Sequence, residues 1–143
     1  MKNWVMGAMV CCMATAAVAD WATPKRGSAT RKGLMDALRP HAEWQLGAPV
    51  EFVVHDLRVS GSVGFAAVHA QRPGGKEIDI ARTPGARRGY LDPEFMDGTS
   101  LQALYRKVGA TWVAVHWAIG ATDVWYADPA LCVDYAAVIP EVC

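Results

Sequence analysis

Apolar residues between positions 30 and 46 recur at helical spacing: Leu34, Leu38 and Ala42 fall every fourth residue, with Met35 and Leu46 flanking the same stripe. The spacing predicts an α-helix with one buried face. Ser28 or Thr30 can cap its start, and Pro40 is expected to kink it or to begin a second turn. Gly47 should end it, with Pro49 blocking continuation. The pattern then changes period. Residues 50–59 and 63–71 are rich in β-branched and aromatic positions and flank Ser60-Gly61-Ser62, which predicts a hairpin. Within the first run Phe52 and Val54 share one phase and Leu57 and Val59 the other. Such a switch implies a bulge near His55-Asp56, or burial of both faces.

After the turn Arg72-Pro73-Gly74-Gly75, Ile78 and Ile80 alternate with Glu77 and Asp79, which predicts a short strand. Residues 84–99 carry three glycines and two prolines and read as a long loop, a feature that in compact domains is usually functional or mobile. A second hairpin follows, SLQALYRKV and TWVAVHWAIG turning at Gly109-Ala110. Strict alternation would put Trp112, Ala114, His116 and Ala118 on one face, and Val113, Val115, Trp117 and Ile119 on the other. Thr122 can cap a turn through Trp125, and Asp128-Pro129 starts a last helix. The expected fold class is α+β: an N-terminal helix packed on a curved antiparallel sheet of four to five strands. In that element order, over roughly residues 30–120, the chain resembles the cystatin-like and NTF2-like folds of small exported bacterial proteins. The NTF2-like side of the resemblance implies a sheet curled around an apolar cavity, where a buried carboxylate or histidine acts as general acid or base.

The first nineteen residues read differently from the rest. Lys2 is followed by an uncharged, largely apolar stretch from Trp4 to Val18, and Ala17-Val18-Ala19 matches a signal-peptidase site. We expect a cleaved secretory signal peptide over residues 1–19, a cut between Ala19 and Asp20, and a destination in the periplasm. Lipidation at Cys11 or Cys12 is disfavoured because neither follows a small residue. A loose lead-in over residues 20–29 and a single domain over 30–143 complete the expected organisation. Removing Lys2 leaves thirteen bases against fourteen acids, and near neutrality gives no basic field for nucleic acid. No membrane association is expected after cleavage. Of the four cysteines only Cys132 and Cys143 remain, a pair that in an exported chain forms a disulfide.

The chain has no G-x-S-x-G, H-E-x-x-H, phosphate loop or G-x-G-x-x-G, and no cofactor is expected. Its four serines sit beside predicted turns or helix starts, where capping accounts for them. Arg87, Arg88, Tyr90 and Phe95 lie on the long loop, with Leu91 and Met96 beside them, and Trp125 and Tyr126 follow the last strand. Arginine and aromatics are enriched at interfaces, so these six are the expected binding residues for a protein or a small apolar ligand. Against that stands a packing role, in which Tyr90, Leu91, Phe95 and Met96 tuck under the sheet. The alternative function is a cavity enzyme moving a proton through Asp56 or His116. A metal site at His55 and His69 is less favoured than ordinary strand histidines, because their juxtaposition depends on a register that the suspected bulge would break.

Overall fold

Ser28 opens the first helix, α1 (Ala29–Leu46), its side chain accepting from the Arg31 amide at 3.2 Å. The computed structural model describes residues 20–143, so the leader expected over 1–19 lies outside the described residues. Gly47 closes α1 at φ 79°, a conformation costly for any residue with a Cβ. The helix continues through Pro40 to Leu46, ending where Gly47 was expected to end it. A mid-helix proline costs about 3 kcal/mol. Leu34, Leu38, Ala42 and Leu46 are all fully buried, and the leucines contribute about 1.5–3 kcal/mol each, enough to hold both halves against the sheet.

That sheet is a meander. Strands β1 (Glu51–Ser60), β2 (Val63–Gln71), β3 (Ser100–Val108) and β4 (Thr111–Ile119) pair antiparallel in chain order, and the four-stranded sheet stays open. Helix and open sheet make an α+β fold. The predicted bulge exists: β1 pairs Val54 with Val68 and Asp56 with Ala67, leaving His55 as the extra residue. It lets Phe52 and Val54 share the α1 face with Leu57 and Val59 despite the phase switch. A second bulge was not expected. β4 pairs His116 with Leu104 and Ala114 with Tyr105, so Val115 is extra. Strict alternation therefore fails. Trp112 and Ala114 share the α1 face with Trp117 and Ile119, while His116 lies against Tyr135 on the opposite face.

The opposite face has its own cover. Helix α3 (Pro129–Tyr135), capped by Asp128, and the following Val138 and Ile139 bury Val63, Phe65 and Leu104. Cys132 and Cys143 are joined by a disulfide across this segment, with Cα atoms 5.5 Å apart. Arg106 ties β3 to α3 through Asp134 at 3.1 Å. At the start of the lead-in Ala22 and Val59 exchange two backbone hydrogen bonds of 2.9 Å, and Trp21 packs against the same cluster. Among the described residues no helix is long and apolar enough to cross a membrane.

No strand forms over residues 76–80. Lys76 bridges back to Arg72, and Ile80–Arg82 is a single 3-10 turn. The reason is topological: β2 is already paired on both edges, by β1 and by β3, so its ladder has no free side. The loop that follows holds a short helix, α2 (Pro84–Arg87), capped by the buried Thr83. Downstream, Leu91 packs against the α1 core, and Met96 lies so close to Gly120 that a Cβ there would stand 2.5 Å from its Cε.

Candidate functional site

Gly85 sets the geometry of the most exposed aromatic surface. It is buried, and a Cβ on it would stand 2.6 Å from Gln45 Oε1 and 2.8 Å from the Gln45 carbonyl. Only glycine lets α2 approach the last turn of α1 so closely. The approach brings Arg88, which follows α2, over α1: its guanidinium lies 4.5 Å from the Trp44 ring centroid and 5.8 Å from that of Tyr90. Arg88 Nη2 donates to the Trp44 carbonyl at 2.6 Å. Trp44 is 65% exposed and Tyr90 69%. An arginine between two exposed rings is worth about 0.5–1 kcal/mol per ring, too little to explain leaving so much aromatic surface in water.

The long loop thus divides. Leu91 and Met96 take the packing role, whereas Tyr90 and Phe95 stay outside, Phe95 at 78% exposure. Arg87 turns back to donate to the Arg82 carbonyl at 2.6 Å. Trp125 and Tyr126 are not gathered with them. Both are half-buried against the α3-side cluster, with Tyr126 5.0 Å from Phe65 and Trp125 set edge-on to Tyr126 at 5.6 Å. Trp44 was not among the expected residues. Its signal in the sequence was a tryptophan off the buried stripe of an amphipathic helix.

Asp56 and His116 occupy opposite edge strands, with β2 and β3 between them. Three strand spacings separate them by about 14 Å, so they do not share one site. Asp56 is engaged elsewhere: its Oδ2 lies 2.5 Å from Arg58 Nη2. Arg58 also donates to Glu141 at 2.7 Å and to the Val138 carbonyl at 3.0 Å, and stands 4.6 Å over the Trp21 ring. Burial works against its charge, yet the hydrogen bonds and charges of Asp56 and Glu141 outweigh it and raise the Arg58 pKa. His116 is exposed, its ring edge-on to Tyr135 at 6.0 Å. Neither residue lines the cleft of about 400 Å³ that lies between α1 and the β3–β4 turn around Gly33, Lys107 and Trp112.

His55 and His69 do meet. His55 Nε2 is 2.6 Å from His69 Nδ1, and the rings stack with centroids 4.9 Å apart. Among the described residues no third histidine, cysteine or carboxylate joins them. Fold and surface together define an open-sheet α+β domain with an exposed arginine–aromatic face. Set against protein-family models, curated proteins and solved structures, the chain finds no match in any of the three comparisons.

Proposed function

We propose that this is an exported, non-enzymatic accessory domain that binds a protein partner through Trp44, Arg88 and Tyr90. The observation that carries the reading is the Trp44–Arg88–Tyr90 stack, two largely exposed aromatic rings on one guanidinium. Tryptophan, tyrosine and arginine are the residues in which interface energy concentrates. The stack rests on the end of α1 and on the close-packed Gly85, so it is held in place before any partner arrives. An exposed face of this kind suits a protein better than a small apolar ligand, which needs an enclosing pocket. The helix-then-meander order supports grouping the domain with cystatin-like and NTF2-like folds. The disulfide supports folding in an oxidising compartment, in keeping with the leader.

The test is co-purification of the tagged, exported protein from its own host. Arg88→Ala combined with Tyr90→Ala should remove the partner, and Trp44→Ala should weaken its recovery at least tenfold. Asp56→Asn should retain it. Undiminished recovery by the double variant, with its fold intact by circular dichroism, would overturn the reading.

A further inference from the structure

The bulge in β1 does something more specific than correct a phase. His55 has no Cα partner on β2, while its neighbours do: Val54 faces Val68 and Asp56 faces Ala67. Freed from the ladder, the inserted side chain reaches sideways to His69, and one nitrogen of each ring turns toward the other at 2.6 Å. A hydrogen bond between two imidazoles needs a proton on one of those nitrogens, and each nitrogen offers an in-plane lone pair when that proton leaves. Two cis ligands on one cation hold their nitrogens at a similar separation, with both rings turned so that the lone pairs converge on the ion. Bonds of about 2.0–2.1 Å from each nitrogen need the pair to open to only about 3 Å. His55 is exposed and His69 half-exposed, so a shift of a few tenths of an ångström meets little resistance.

A second observation points to the same place. Ser100 lies directly across β3 from His69, and its buried Oγ has no hydrogen-bond partner among the described residues. Gln102 follows two residues along, on the same sheet face, with its Oε1 in the same condition. Orphaned buried acceptors are uncommon, and a metal-bound water is a strong donor that satisfies them. His69 also lines a cleft of about 310 Å³ with Gln71, Glu77 and Thr99, which gives an ion access to its ring.

We infer that His55 and His69 form a two-imidazole site for a divalent transition-metal ion, with copper(II) preferred and the remaining positions held by water. Imidazole suits copper, nickel and zinc, and copper(II) heads the divalent affinity order. Two protein ligands make an exchangeable site, unlike the closed four-ligand sites that stabilise folds. The inference does not depend on the Trp44–Arg88–Tyr90 surface.

The experiment is a titration of the purified exported protein, stripped with chelator, with copper(II) alone. Calorimetry should show one equivalent bound, and its electron paramagnetic resonance spectrum should show nitrogen coupling. His55→Ala and His69→Ala should each weaken binding at least tenfold, while His41→Ala and His116→Ala leave it unchanged. In the unaltered protein, copper should broaden the NMR ring signals of His55 and His69 before those of His41 and His116, a readout independent of how any variant folds. Equal affinity in all four variants, or broadening centred on His41, His116 or the N-terminus, would overturn the site.

Discussion

Tyr105 and Tyr135 are the largest side chains in the fully buried set, and the Tyr105 hydroxyl has no hydrogen-bond partner among the described residues. Burial alone pushes its pKa upward from the ordinary phenol value of about 10. Between that value and the raised one, the unfolded chain has lost the proton and the folded chain keeps it. The stabilising difference is therefore complete below pH 10 and is lost progressively as pH rises above it. Tyr105→Phe should shallow this alkaline decline in denaturant titrations run at pH 7 and pH 10.5. At pH 7 the same substitution should be neutral or stabilising by about 1 kcal/mol, because it removes an unsatisfied polar atom. Arg58 behaves oppositely. Its guanidinium serves Asp56, Glu141, the Val138 carbonyl and the Trp21 ring at once. Arg58→Met leaves those groups unanswered and should cost about 2–4 kcal/mol by thermal unfolding.

At the level of elements, the Gly85 contact makes a sharp prediction. Gly85→Ala places a methyl group against the Gln45 backbone carbonyl, which cannot swing aside, so α2 must shift from α1. A cost of about 1–3 kcal/mol is expected, together with weaker partner recovery through a displaced Arg88. The elements were unequally legible in the sequence. The β1 bulge could be read because Phe52 and Val54 change phase against Leu57 and Val59 around the polar His55-Asp56. The β4 bulge left no such mark, since Trp112, Val113, Ala114, Val115 and Trp117 are apolar on either side of it. Residues 77–80 alternate like a strand but follow β2, whose two edges are already paired, a fact that belongs to the sheet and not to the segment. The fate of the loop residues was equally out of reach: Leu91 and Met96 are half-buried against the α1 core and Gly120, which lie far off in sequence. Of the expected binding residues, Arg88 and Tyr90 assemble, and their third member, Trp44, was hidden among the polar positions of a helix.

The whole molecule has three layers, α1, the sheet, and a second cover drawn from both ends of the described chain. The helix stripe and the two hairpins announced the first two. The third had no periodicity to announce it, because α3 is seven residues long and Val138 and Ile139 lie outside any regular element. It is also the layer that the disulfide secures. Closing a loop of this length stabilises by about 2–3 kcal/mol, so Cys132→Ser or a reductant should lower the melting temperature. Hydrogen exchange under reducing conditions should rise first in residues 20–22 and 129–142, while the amides of β2 and β3 stay protected. The double role of Arg58 extends this to the order in which the chain is made. Trp21 is among the first described residues to be synthesised and Glu141 among the last, and they meet on one guanidinium. Until the last stretch emerges, Val63, Phe65 and Leu104 have no lid, and a finished sheet would stand with one greasy side bare. A growing chain of this design cannot seal its second layer until residues 129–142 have been made, and the apolar side of β2 and β3 stays bare until then.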